Sequence, residues 1–289
     1  MHLRFLAAAF SILIALGIAG SQTIPEIILF RDRLLTTAHG AEADLPMVPV
    51  DITTRDGLVL RSWYHAPDPY KPVIVYFPGR IGDFGHRSPQ LAGFVEKGYG
   101  LVLAGYRGYG GNPGRPSETR LYQDAEDLVA KLETLDLAPN GLVLYGYSMG
   151  TSVASWLAEK GVGKGVILEA PFTSFAAVVN HAVSAVPGWL VRSRFDTASR
   201  MAAIHSPVLL LAGEDDRLTP PVFAEGLAAL NEVWAVLRIM PHAAHDTIVE
   251  HGALDIIAEF LEGLVAPAAA VPLDEPLAGA GDWIVPAQP

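Results

Sequence analysis

Residues 142–151 read LVLYGYSMGT: four strand-forming residues, then Ser148 with one glycine two places before it and another two places after. A strand that turns at once into a helix holds its turn residue in strained backbone geometry, where neighbouring Cβ atoms would collide. Gly146 and Gly150 remove those atoms. The stretch therefore predicts a strand, a sharp elbow and a helix that begins near Met149 and runs through Val153, Ala154 and Leu157. The Ser148 hydroxyl would stand exposed at the carboxyl end of a sheet. Composition alone produces a G-x-S-x-G pattern in about one such chain in eight. The strand before and the helix after therefore carry as much of the inference as the glycines.

Outward from the elbow, further short apolar runs alternate with helical patterns: VIVYF at Val73, LVLA at Leu101, GVILEA at Gly165, VLLLA at Val208 and AVLRIM at Ala235. Runs that are apolar on both faces and separated by helices predict a mostly parallel, doubly wound α/β sheet covered on both sides. Ahead of them, VPVDITT from Val48 and LVLRSWYH from Leu58 flank Arg55, Asp56 and Gly57, which reads as an antiparallel opening hairpin. Leu121, Ala125, Leu128, Val129, Leu132 and Leu135 recur at helical spacing and predict a helix over Thr119 to Leu137.

The 289 residues suffice for one large core, and the net charge of -11 repels a phosphate backbone, so nucleic acid is not an expected partner. The absence of cysteine excludes disulfides, thiolate nucleophiles and cysteine-ligated metals. Residues 1–37 carry no charge between Arg4 and Glu26 and read as a membrane anchor, an apolar run of about 20 residues being enough to span. A cleaved signal peptide, processed near Ala19, Gly20 and Ser21 and leaving an exported protein, is the alternative, and a buried core helix a third. The side of the membrane stays open, because Arg4 and the α-amine nearly balance Arg31 and Arg33. The domain is expected over 46–265, followed by a Pro/Ala/Gly-rich tail over 266–289 that reads as disordered or loosely docked.

A serine hydroxyl is a weak nucleophile until a base takes its proton and an acid orients that base. On a sheet of this kind the partners follow in the order serine, acid, histidine. After VLLLA comes GEDDRLTPP, where Asp216 is preferred as the acid over Glu214 and Asp215. After AVLRIM comes PHAAHDTIVEHG, where His245, just before a helix containing Ile248, Val249 and Ile256, is preferred as the base over His242. His251 reads as an exposed helix position. An oxyanion needs NH donors. The elbow supplies that of Met149, and the loop PGRIGDFG after VIVYF, with Gly79 for close approach, supplies that of Arg80. Asp83 in the same loop finds no second carboxylate to work with. No metal or cofactor is expected.

Together with YRGYGGNPGRPSE at Tyr106, LYQDAEDL, EAPFTS at Glu169, VRSRFD at Val191 and PVLLLAGEDDRLTPP at Pro207, these residues resemble the α/β-hydrolase superfamily. Within it they are similar to the membrane-anchored ABHD-type serine hydrolases and related serine-aminopeptidase-like bacterial proteins. The resemblance covers Val48 to about Leu264. It implies an α/β-hydrolase fold, an acyl-enzyme intermediate, no cofactor, and a membrane segment ahead of a soluble domain. Carried over by position, Ser148 is the nucleophile, Asp216 the acid, His245 the base, and the NH groups of Arg80 and Met149 the oxyanion hole. Where many relatives begin the oxyanion loop with His-Gly and a small or amide residue, this chain has Pro78, Gly79 and Arg80, which would place a cation near the acyl site.

A short cap is expected at about 172–205, containing Phe172, Phe175, Trp189, Leu190 and Phe195. These rings either line an apolar or lipid-like acyl site or simply pack the cap onto the sheet. The function expected is cleavage of carboxylic esters or thioesters on a small-molecule or lipid-like acyl substrate. An aminopeptidase-like amide hydrolase is a second reading, disfavoured because Pro171 to His205 contains one acid, Asp196, to hold a substrate amine. A non-catalytic membrane-tethered scaffold is a third, disfavoured by the complete Ser, Asp and His set.

Overall fold

The structure, a computed structural model, describes Phe30 and residues 45–82, 84, 87–182, 191 and 193–265. The anchor or signal expected over 1–37 lies outside the described residues apart from Phe30, as do the 266–289 tail, Asp83, Trp189 and Leu190. Among the described residues, no helix is long and apolar enough to cross a membrane.

Each run read above as a strand is one: β1 (Val48–Thr53), β2 (Val59–His65), β3 (Val73–Phe77), β4 (Gly100–Leu103), β5 (Leu142–Tyr147), β6 (Gly165–Glu169), β7 (Val208–Gly213) and β8 (Ala235–Met240). They form one sheet in the order β1-β2-β4-β3-β5-β6-β7-β8. β1, β2 and β4 pair antiparallel, and β4 through β8 pair parallel. The hairpin turns at Gly57, whose φ of 84° suits glycine and whose NH donates to Thr54 O at 2.8 Å.

The helices are α1 (Ser88–Glu96), α2 (Glu118–Thr134), α3 (Met149–Ala158), α4 (Phe175–Ala182), α5 (Ala198–Met201), α6 (Pro221–Ala229) and α7 (Ala253–Val265). Because successive strand side chains point to opposite faces, each apolar run feeds two cores. Val73, Val75 and Phe77 with Leu142 and Leu144 pack under α2 and α3, against Leu121, Leu128, Val153 and Leu157. Ile74, Tyr76, Val143 and Tyr145 pack under α1 and α7, against Leu91, Phe94, Ile257 and Phe260. This double burial is why the runs lack a polar alternation and why the sheet is parallel at its centre.

Two helix expectations are corrected. The helix predicted over Thr119 to Leu137 stops at Thr134. Asp136 takes a left-handed φ of 51°, and the NH groups of Asp136 and Leu137 bond back to Glu133 O and Leu132 O at 3.0 Å each. That is a Schellman closure. Leu137, off the apolar face marked by Leu121, Leu128 and Leu132, is the hydrophobic residue that seals this end against the core, while Leu135, which has the helical spacing, is the exposed C-cap. The helix predicted after His245 is divided at Gly252, φ 96°, into a 3-10 turn at Val249–His251 and α7.

The loop after β4 is anchored by Arg107, which is buried and paired with Asp124 on α2 and with Asp56 in the hairpin turn. Its neighbour Tyr106 is thereby held so that its hydroxyl donates to Pro78 O at 3.1 Å, fixing the start of the loop after β3.

Candidate active site

The carboxyl ends of β3, β5, β6 and β7 converge where the elbow stands. Ser148 occupies the junction of β5 and α3 with φ 50° and ψ -116°, so the strained residue is the serine itself. The glycines work by yielding space. A Cβ on Gly146 would lie 2.4 Å from Gly150 O, and one on Gly150 would lie 2.0 Å from Phe77 O. The Ser148 NH donates to Glu169 O at 2.9 Å, and its carbonyl accepts the Thr151 NH at 3.0 Å and the Thr151 hydroxyl at 2.6 Å.

Two loops farther along the same carboxyl edge, after β7 and β8, bring the other groups. Asp216 sits in the turn that follows β7, its NH bonded to Gly213 O at 3.1 Å, and His245 sits in the loop that follows β8. The loops are tied together by Asp215 NH to Ala243 O at 2.9 Å and by Glu214 NH to Met240 O at 3.0 Å. Gly213 lets them touch, since its Cβ would stand 2.4 Å from Ala243 O.

Ser148, His245 and Asp216 form one hydrogen-bonded row. Ser148 Oγ lies 3.0 Å from His245 Nε2, and His245 Nδ1 lies 2.7 Å from Asp216 Oδ2. An ionised carboxylate only accepts, so the proton belongs on Nδ1, leaving Nε2 to accept from the serine hydroxyl. Asp216 is buried and also accepts the NH groups of Leu218 and Thr219, each at 2.8 Å, and the Thr219 hydroxyl at 2.7 Å. Burial by itself would raise its carboxyl, but the hydrogen bonds from His245 and Thr219 outweigh it and hold the group below the usual carboxylate range.

The competing residues lie elsewhere. Glu214 and Asp215 are exposed, and His242 and Glu214 face each other at 3.5 Å in an exposed pair. His251 is exposed, with Nδ1 2.9 Å from Thr247 O. The loop after β3 packs against the elbow: a Cβ on Gly79 would stand 3.1 Å from the Tyr147 ring and 3.4 Å from Ser148 Cβ. Gly79 O accepts the Gly82 NH at 3.0 Å, so half-buried Arg80 lies within a tight turn beside the serine. Met149 opens α3, where free NH groups and the helix dipole favour negative charge.

The rings expected in the cap take the packing role where they are described. Phe172 and Phe195 are buried in the core under α2 and α3, and Phe175 packs against it. Phe195 meets the rings of Tyr122 and Phe30 edge-on at 6.0 and 6.4 Å. Asp196 accepts the Ser199 NH at 3.1 Å. Among the described residues, no cluster of histidine and acidic side chains could hold a metal ion.

Sequence reasoning missed several residues. Thr219, whose hydroxyl braces Asp216, was visible as a threonine three places after the acid. Glu169 carried a signal as a charge closing an apolar strand, a residue type almost never fully buried without a partner. Its partner Arg87, 2.7 Å away, carried none.

Comparison with known proteins agrees with this architecture. Residues 68–197 match the family model described as serine aminopeptidase, S33. A Mycobacterium tuberculosis protein described as uncharacterized is 32% identical over 201 residues, covering 68% of this chain and 72% of that protein. The protein bem46 of Schizosaccharomyces pombe is 31% identical over 230 residues, covering 73% of this chain and 75% of bem46. Among solved structures, the Pyrococcus furiosus esterase Pf2001 superposes with a TM-score of 0.64 at 18% identity, covering 78% of this chain and 95% of the esterase.

Proposed function

The chain belongs to the α/β-hydrolase superfamily, and from that premise we propose that it is a serine hydrolase cleaving carboxylic ester or thioester bonds through an acyl-serine intermediate. The observation that carries the reading is the unbroken row from Ser148 Oγ to His245 at 3.0 Å and from His245 to Asp216 at 2.7 Å. In this reading His245 Nε2 takes the Ser148 proton as Oγ attacks the acyl carbon, and Asp216 stabilises the imidazolium. The oxyanion is met by the backbone NH groups of Met149 and Arg80. The imidazolium returns its proton to the departing alcohol or thiol. Water then attacks the acyl-serine, again with His245 as base, and releases the acid. No metal or cofactor takes part in these steps.

The name of the matching family supports amide cleavage at an amino terminus as a second reading. Against it, the described cap segment offers a single carboxylate, Asp196, which already accepts a backbone NH. The N-terminal apolar run supports tethering of the domain at a membrane, with export after signal cleavage as the alternative.

The test is labelling with a fluorophosphonate probe, comparing wild type with Ser148→Ala, followed by turnover of acyl esters, acyl thioesters and aminoacyl anilides. Labelling confined to wild type, with ester or thioester turnover exceeding that of the anilides, is expected. Labelling that persists in Ser148→Ala removes Ser148 from its role.

A further inference from the structure

Behind the reacting row lies a buried polar cluster that the mechanism above does not use. Glu169 closes β6, is fully buried, and pairs in register with Tyr147 on β5. Its carboxylate accepts Arg87 Nη1 at 2.7 Å, the Tyr145 hydroxyl at 2.7 Å and Gln90 Nε2 at 3.5 Å. Arg87 is itself buried, and its guanidinium carbon stands 3.6 Å from the centroid of the Tyr147 ring. The Tyr147 ring lies 5.5 Å from the His245 imidazole, and its hydroxyl donates to His245 O at 3.3 Å. Gly79 comes close to the same ring. One aromatic residue thus meets the base and the oxyanion loop while its backbone leads into the nucleophile, and a cation is stacked upon it.

We propose that the Arg87–Glu169 pair is a positioning element of the site: the guanidinium seats the Tyr147 ring and through it the His245 imidazole, while the Glu169 carboxylate cancels the cation's field there. The proposal rests on the reading of Ser148 and His245 given above. A fully buried ion pair adds little stability over apolar residues of the same volume, so stability alone does not account for a pair placed behind the base. Cation–π stacking accounts for the guanidinium, whose planar face suits a ring. Arginine cannot shed its proton in a protein, so its neutralisation falls to Glu169. Burial opposes the Arg87 charge, and the adjacent carboxylate more than offsets that, keeping the guanidinium protonated.

The described groups facing His245 are Asp216 and Thr219 from the loop after β7, Ser148 from the elbow, and Tyr147 from β5. Asp246 follows it in the chain and acts on Tyr147, and Glu214, Asp215 and His242 are exposed on the two joined loops. The separations of 3.6 and 5.5 Å in series bound the distance from the guanidinium carbon to the imidazole at about 9 Å. An uncompensated unit charge there, at an effective dielectric constant near 20, lowers an imidazolium pKa by about one unit.

The experiment is the rate of fluorophosphonate labelling against pH, across the range in which an imidazole titrates, joined to NMR titration of the His245 ring. In Glu169→Gln the cation is left bare, so the acid limb and the ring titration both move down by about one pH unit. Arg87→Met moves them less, because a buried Glu169 without its cation takes up a proton. The double variant Arg87→Met with Glu169→Gln returns the limb to the wild-type position while its plateau rate stays about tenfold low, the ring having lost its seat. Arg87→Lys keeps the limb and recovers part of the plateau. A wild-type titration in folded Glu169→Gln overturns the charge role, and a wild-type plateau rate in the double variant overturns the positioning role. Should Glu169→Gln fail to fold, the double variant still decides by its plateau. If wild type is not labelled at Ser148, the functional reading fails instead, and the NMR titration decides the electrostatic claim by itself.

Discussion

Gly150→Ala puts the elbow geometry to its most direct test. An ideal Cβ at residue 150 would stand 2.0 Å from Phe77 O, 2.7 Å from Phe77 C and 2.8 Å from Pro78 O. All three are backbone atoms, so no side-chain rotation relieves the contact. Restoring an ordinary separation requires β3's end and the following loop to retreat by about 1 Å. Overpacking of this kind costs about 1–3 kcal/mol of stability. The larger effect falls on chemistry. The displaced segment leads into Arg80, and an error of about 1 Å in a reacting geometry costs about 100-fold in rate, or about 2.7 kcal/mol of barrier. Fluorophosphonate labelling kinetics and thermal unfolding of the same sample read both quantities. Gly263→Ala is the control: its Cβ meets nothing within 4 Å on an exposed face of α7, and it should gain about 1 kcal/mol through helix propensity with labelling unchanged. A Gly150→Ala protein that labels at the wild-type rate and melts at the wild-type temperature would refute the claim that the loop after β3 is seated against the elbow.

Two further outcomes are expected. Thr219→Val removes the hydroxyl that braces Asp216 at 2.7 Å and should slow labelling about tenfold, a hydrogen bond to a charged group being worth about 1.5–3 kcal/mol; an unchanged time course would mean the brace is idle. The folded Asp216 carboxyl lies below its unfolded value near 3.9, so its ionised form contributes stability that is complete above about pH 4 and is lost as pH falls through the folded value. Urea midpoints of Asp216→Asn should therefore change less with pH over that acid window than those of wild type, and parallel curves would contradict the assignment.

The central sheet was legible because its strands are buried on both faces, which leaves five- and six-residue apolar runs that solvent-facing strands do not have. The convergence of Ser148, Asp216 and His245 followed from their places just past three strand ends, since a parallel sheet gathers all its carboxyl ends on one rim. What could not be read was anything fixed by contact across the chain. Arg87 and Glu169 stand 82 residues apart, and no local pattern joins them. Leu135 and Leu137 look alike in sequence, yet Leu135 stands exposed at the C-cap while Leu137 seals the helix end against the core. The cap rings were ambiguous for a similar reason: Phe195 and Phe172 would look the same in sequence whether they faced a substrate or the core.

The knot of backbone bonds between the acid loop and the histidine loop has a kinetic corollary. Asp216 and His245 ride together on β7 and β8, and β8 is a half-exposed border strand, whereas Ser148 rides on β5, buried at every residue but its last. Fraying of that border would carry Asp216 and His245 away as a unit and leave Ser148 without the imidazole it is hydrogen-bonded to. The lifetime of the working arrangement is then set by this border strand rather than by the global fold, and amide exchange along residues 235–240 should track the rate at which reactivity comes and goes.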